Sequence, residues 1–178
     1  MVRMFSSLDS AFPRVDSLCL AASSTTSSFG FMCHYIFKMI NVSEKVLFVS
    51  FRDAFESYKT AMRKTGVDWS KVEFIFNTLP SLCVLESFDA VIFDIPTSHS
   101  DFVQIFERCQ KKKLLLCIDS ADEAQVQFFG RRCQCLIEIS PLSTGLSSEY
   151  DGLIKSGKGD EFLFKFGDKS LVLSQSIK

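Results

Sequence analysis

Few residues of this chain are of a type and spacing that could do chemistry. The most motif-like group is Gly152, Gly157 and Lys158, which satisfy G-x-x-x-x-G-K, the opening of a phosphate-binding loop. The next position is Gly159, where such a loop needs a Ser or Thr hydroxyl on magnesium. Residues 160–166 then alternate like a strand and do not open a helix onto an anion, so the motif reads as a hairpin turn. Val91-Ile92-Phe93-Asp94 has the form of a Walker B strand, with its carboxylate at the tip where open α/β sheets place their ligands. Asp94 is therefore a candidate magnesium ligand, although any buried parallel strand ending in Asp would look the same. After the first predicted strand, where a phosphate loop belongs, the chain reads Ser23, Ser24, Thr25, Thr26, Ser27, Ser28, with no Lys and no Gly before Gly30. Hydroxyls and amides there could meet an anion, but nothing wraps or neutralises a triphosphate. A hydroxyl-rich helix cap is the simpler reading.

The remaining reactive side chains form no constellation. His34 falls in a predicted helix at neither metal nor triad spacing, His99 sits in a Ser-rich loop, and no G-x-S-x-G elbow exists. The seven cysteines (Cys19, Cys33, Cys83, Cys109, Cys117, Cys133 and Cys135) are scattered and mostly embedded in apolar runs, as small buried hydrophobes of a reducing compartment are. Cys133 and Cys135 would share one face of a strand, but two histidines in the whole chain supply no second ligand pair. Neither a catalytic group, a metal nor a cofactor is expected.

Charge narrows the partners. The 178 residues carry 20 Lys and Arg against 21 Asp and Glu, so no global basic field grips nucleic acid. A local patch remains: Lys111, Lys112 and Lys113 end one predicted helix, Arg131 and Arg132 end the next, and both groups should lie where the following strands begin. These five are the candidate RNA contacts; the competing reading is that they complement helix C-termini. Nineteen Phe against one Trp read as core filling. No run approaches the ~18 apolar residues of a spanning helix, so no membrane role and an intracellular location are expected.

A hydrophobic share of 47% over this length suits one domain with one complete core, residues 1–15 forming a loosely packed leading segment. Apolar runs at 18–22, 46–51, 74–76, 90–95, 114–118 and 133–139 read as strands. Between them lie helix-period segments: one from Phe29 with Phe29, Met32, Ile36 and Met39 on a face, one over 53–64 with Phe55, Tyr58 and Met62, and one over 100–112 with Phe102, Ile105, Phe106 and Cys109. Gly66 is placed to end the second, residues 79–88 are ambiguous, and Ser120 with Glu123 stands at capping-box spacing before a short helix bearing Val126 and Phe129. Strands apolar on consecutive positions, alternating with helices, predict a parallel sheet covered on both faces. Residues 153–155, 161–166 and 170–173, separated by Gly157-Lys158-Gly159 and Gly167-Asp168-Lys169, predict an antiparallel extension.

Three stretches carry a family resemblance: VLFVSFRDAFESYKTAMRKTGVDW (46–69), STGLSSEYDGLIKS (143–156) and FLFKFGDKSLVLS (162–174). In order, they resemble the strand, Ser-Phe turn and Tyr-bearing helix, the Thr-Gly turn before a strand, and the closing hairpin of the sixth subunit of the Elongator complex. The resemblance implies an α/β, RecA-like fold without a working phosphate loop, a mostly parallel sheet flanked by helices with a C-terminal antiparallel hairpin. It implies two sister RecA-like subunits in a hetero-hexameric ring, tRNA held by that ring, and service to a separate catalytic lobe in wobble-uridine modification, in the cytoplasm and also the nucleus. Asn77 would stand where ATP-hydrolysing members of the fold end their third strand in a water-activating Glu. The competing classes are another sister subunit of that ring, a RecA-type regulatory paralogue in DNA repair, and a nucleotide enzyme that uses the Ser/Thr loop.

Overall fold

The computed structural model describes residue 12 and residues 15–23, 29–95, 101–142, 149–166 and 171–175. Among the described residues, nine strands form one sheet in the order β3-β2-β4-β5-β1-β6-β7-β8-β9. They are β1 (Ser17–Ala22), β2 (Val46–Ser50), β3 (Val72–Phe76), β4 (Ala90–Asp94), β5 (Lys113–Asp119), β6 (Cys135–Ser140), β7 (Gly152–Ser156), β8 (Glu161–Phe166) and β9 (Leu171–Gln175). β1 to β6 run parallel, and β7 to β9 continue the sheet antiparallel.

The consecutive apolar residues of β1, β2 and β4 are buried throughout because both sheet faces are covered there. One face packs under α1 (Phe29–Asn41) and α2 (Phe55–Ala61), which bring Phe31, Ile36, Tyr58 and Met62 onto Phe48, Ile92 and Leu115. The other packs under α3 (Leu82–Leu85), α4 (Phe102–Cys109) and α5 (Glu123–Gly130), where Phe93 meets Phe102 and Phe106 meets Phe129 edge to face and Phe102 tilts against Phe129. The parallel sheet with an antiparallel extension is as the sequence predicts.

Several local expectations need correction. α1 buries Phe31, Met32, Ile36 and Ile40, a stripe turned from the expected one, because Phe31 meets the Phe164 ring of β8 at 5.0 Å. α2 is shorter than 53–64: Met62 N–H makes the last helical bond, to the Tyr58 carbonyl, after which Arg63 and Thr65 N–H close tighter turns onto the Thr60 and Met62 carbonyls, and Gly66 follows at φ +75°. α5 is capped by Asp122, whose carboxylate accepts from Gln125 N–H at 3.0 Å, and not by Ser120, because Asp119 holds Ala121 N–H in a turn at 2.9 Å. Cys133 precedes β6 and does not share a strand face with Cys135. Phe12 is 4% exposed and meets Phe162 edge to face at 5.7 Å, so at this residue the leading segment is anchored. The rest of that segment before residue 15 lies outside the described residues.

β7 passes so close to its neighbours that Gly152 admits no side chain. A Cβ there would stand 2.7 Å from the Ser140 carbonyl oxygen and 2.6 Å from the Phe164 ring. Gly152→Ala should cost about 1–3 kcal/mol, the range for overpacking where a backbone atom is one of the obstacles. Urea denaturation would show a lower midpoint at unchanged slope, and an unchanged midpoint would contradict this packing.

Candidate functional site

The tips of the parallel strands, where open α/β sheets bind ligands, bring Ser50 and Asp94 side by side, since β2 and β4 pair with Ser50 opposite Asp94. Phe51 N–H donates to the Asp94 carbonyl at 2.9 Å, and the chain turns into α2, whose apolar face carries Tyr58 back over the strand tips. A tyrosine on the inner face of a helix needs a partner for its hydroxyl. Here the Tyr58 hydroxyl donates to Asp94 Oδ2 at 2.5 Å and lies 3.0 Å from Ser50 Oγ. Its one proton goes to the carboxylate, so Ser50 is the donor to Tyr58. Ser50 Oγ in turn accepts from the backbone N–H groups of Arg52 at 3.2 Å and Asp53 at 3.1 Å.

The second Asp94 oxygen, Oδ1, accepts from Arg52 Nε at 3.1 Å. The Asp94 side chain is fully buried, whereas 31% of the Arg52 side chain faces solvent. Burial pushes the Asp94 carboxyl up from the usual carboxylate range, and the Arg52 charge and the two hydrogen bonds pull it back only in part. Burial alone would lower the Arg52 guanidinium, but the Asp94 charge and hydrogen bond, together with Cys117 and Tyr58, outweigh that and raise it. Burial, reinforced by the same carboxylate, raises Tyr58 and keeps it a donor.

This arrangement does not fit a magnesium-bound phosphate. Asp94 accepts a bond from the protein at each oxygen, has no exposed surface, and is paired with a cation of the chain's own. Of the G-x-x-x-x-G-K residues, Gly152 opens β7 beside the tip of β6, whereas Gly157 and Lys158 lie at the opposite end of the sheet, in the turn between β7 and β8. There Gly159 takes φ +93° and its N–H closes onto Ser156 at 2.9 Å, as the hairpin reading predicts. Ser23 follows β1 with its N–H on the Ile139 carbonyl, while residues 24–28 lie outside the described residues, as does His99. Asn77 follows β3 with its N–H on the Ser50 carbonyl at 2.8 Å and φ +56°, a left-handed conformation that Asn tolerates better than most residues.

Five of the thiols are held away from the thiolate form. Burial raises Cys33 and Cys109 to about 12, and Cys117 and Cys135 are pushed up for the same reason. Cys19 rises chiefly through a hydrogen bond with Cys133 and then through burial. Among the described residues, no three His, Cys, Asp or Glu side chains are grouped to hold a metal ion, and no helix is long and apolar enough to cross a membrane.

The five candidate RNA-contacting cations sit at the other end of the sheet, where β5 and β6 begin, but not as one patch. Lys111, Lys112 and Lys113 line a hollow of about 520 Å³ together with Asp16, Glu86 and Asp89. Lys112 Nζ donates to the Phe88 carbonyl at 2.6 Å and Lys113 Nζ to that of Val42 at 2.5 Å. Arg131 lines a neighbouring hollow of about 550 Å³ with Lys158, and Arg132 stacks on Phe128 at 3.7 Å while donating to that residue's carbonyl at 3.0 Å.

The residues that sequence reasoning missed are Ser50, Arg52 and Tyr58 as partners of Asp94. The signal in the sequence was a tyrosine on the apolar face of α2, eight residues after a strand that ends in Ser.

No protein-family model and no curated protein sequence matches this chain. Its fold is similar to that of a KaiC-like protein of the hyperthermophilic archaeon Pyrococcus horikoshii OT3 (TM-score 0.63, 12% identity, 97% of this chain and 95% of that one). It is likewise similar to the flagellar accessory protein FlaH of Methanocaldococcus jannaschii (TM-score 0.61, 13% identity, 91% of each chain). With its parallel core, flanking helices and this likeness over nearly the whole length, the chain has the RecA-like α/β fold.

Proposed function

We propose that this chain is a non-catalytic subunit of the Elongator accessory ring, assembled with two sister RecA-like subunits into a hetero-hexamer that holds tRNA for wobble-uridine modification by a separate catalytic lobe. The RecA-like fold over nearly the whole chain supports the subunit class, and the sequence stretches 46–69, 143–156 and 162–174 support the family. The single observation that carries the non-catalytic reading is the buried Asp94 carboxylate, closed by Arg52 and Tyr58 at the place where a nucleotide enzyme of this fold would present it to a metal.

Titration of the isolated chain with magnesium and ATP should give no binding heat, and Lys158→Ala should leave any assembly intact. Micromolar binding abolished by Lys158→Ala would overturn the reading in favour of a nucleotide enzyme.

RNA handling makes a separate prediction. Reversing the charge of Lys111, Lys112, Lys113, Arg131 and Arg132 together should weaken tRNA binding by the assembled ring and flatten its salt dependence. The logarithmic slope should fall by about 0.9 for each duplex phosphate that is no longer neutralised, and by about 0.7 for each phosphate of a single strand. Filter binding across a salt series reads both quantities. Unchanged affinity and slope would assign these cations to the carbonyls and rings they already touch.

A further inference from the structure

Cys19 and Cys133, far apart in sequence, are brought together by the sheet. Cys19 extends from β1 into the core under α3 to α5, and Cys133 joins the same cluster from the connection between α5 and β6. Cys135, only two residues on, packs against the core of the other face. Gln134 is tied to β1 twice: its N–H donates to Ser17 Oγ at 2.9 Å, and its side-chain oxygen accepts from Asp16 N–H at 2.9 Å. The residue before it is thereby held beside β1, where its thiol and that of Cys19 share a hydrogen bond.

The two sulfurs differ in access. Cys19 is 0% exposed, whereas Cys133 is 9% exposed and lines the hollow of about 550 Å³ that Arg131, Glu138 and Lys158 also line. Charged side chains on its walls keep that hollow hydrated, so a small polar oxidant meets Cys133 and not Cys19. Buried cysteines usually serve as small apolar filler. A contacting pair with one member at a hydrated hollow is instead suited to peroxide, since an accessible thiol is oxidised and a second one beside it resolves the product.

We propose that Cys19 and Cys133 form a reversible redox pair, closed by hydrogen peroxide at the hollow and reopened by a small thiol. Peroxide transfers one oxygen to Cys133 Sγ, giving a sulfenic acid and one water. Cys19 Sγ then bonds to Cys133 Sγ; the Cys19 proton leaves with the displaced hydroxyl as a second water, so the two thiols together lose two electrons to one peroxide. Two molecules of the small thiol restore both cysteines and become its disulfide. The bond requires the sulfurs to approach to about 2 Å, and the movement falls on Cys133, which belongs to neither α5 nor β6. Closure fastens β1 to the connection that carries Arg131, and transient bonds of this kind are the ones a reducing compartment permits. The pair rests on these contacts alone and does not depend on the ring.

The full chain carrying Cys83→Ser, which removes the exposed competitor, is treated with hydrogen peroxide under native conditions. Remaining thiols are blocked with N-ethylmaleimide in urea, and the tryptic digest is analysed without reduction. Trypsin leaves Cys19 with Cys33 and Cys133 with Cys135, so fragmentation of the peptides locates the bond. The expected product is two peptides joined through Cys19 and Cys133, lighter by two hydrogens than their sum, with Cys33 and Cys135 alkylated, and dithiothreitol should abolish it. Cys19→Ala should prevent the bond and leave Cys133 as a sulfenic acid that dimedone traps, while Cys135→Ala should leave the bond unchanged. Full alkylation of Cys19 whatever becomes of Cys133, a bond between Cys133 and Cys135, or a link that forms only when peroxide is added in urea would overturn the pair.

Discussion

Arg52→Met should destabilise the fold by about 2–3 kcal/mol at neutral pH. Removing one partner of a buried ion pair typically costs ~3–5 kcal/mol because the other charge is left uncompensated; here Asp94 keeps the Tyr58 hydrogen bond and Arg52 is partly in water, which places the cost below that range. Asp94→Asn should cost less than Arg52→Met, since the amide remains an acceptor for Tyr58 and the released guanidinium can turn outward to solvent. The pH dependence has a definite sign. Asp94 is raised in the folded state, so ionising it opposes folding as pH rises from the unfolded carboxyl value through the folded one, and below both values the group contributes nothing. Without Arg52 the folded value moves further up. The deficit of the variant should therefore be largest at neutral pH and shrink on acidification, as urea melts at pH 7 and pH 5 would show. A deficit that grew toward acid would mean that Arg52 does not stabilise the ionised carboxylate.

Phe164→Ala should have the largest effect, about 3–5 kcal/mol, the range for removing a fully buried phenylalanine. Phe164 belongs to β8, in the antiparallel extension, yet it is wholly buried and packs against Phe31 of α1 on the face that also holds Phe48 and Ile92. The terminal strands thus complete the core and are not an appended hairpin. Chemical denaturation should show one transition at a much lower midpoint. A cost below about 1 kcal/mol, the level of a surface substitution, would mean that the extension folds independently of α1.

Much of this architecture was legible because its signals are local and strong. Runs such as Val91-Ile92-Phe93 are apolar on every position only where both sheet faces are covered, and Gly157-Lys158-Gly159 reads as a turn from its glycines and the alternation after it. Helix ends were less legible. Ser120 and Asp122 both precede Glu123 and both could cap it, and the choice is made by Asp119, which commits residues 119–121 to a turn. The stripe that α1 buries depends on Phe164, far along the chain in β8, which no helical period can register. The site was half legible: Asp94 stands at its strand tip as expected, but its meaning depends on what faces it. Arg52 and Tyr58 reach it only because β2 and β4, distant in sequence, are neighbours in the sheet. The basic cluster shows the same limit. Residues 111–113 and 131–132 do reach the same end of the sheet, but β1 lies between β5 and β6 and keeps the two groups apart.

The central claim is membership of a three-subunit RecA-like ring that serves tRNA modification, and capture from cells tests it most directly. The tagged chain, purified at moderate salt and analysed by mass spectrometry, should bring down two further RecA-like Elongator subunits in equal amounts, together with the catalytic lobe and tRNA. By light scattering the purified ring should have the mass of six subunits, two copies of each. A well-behaved monomer that brings down none of these, or that brings down DNA-repair proteins in their place, would contradict the claim.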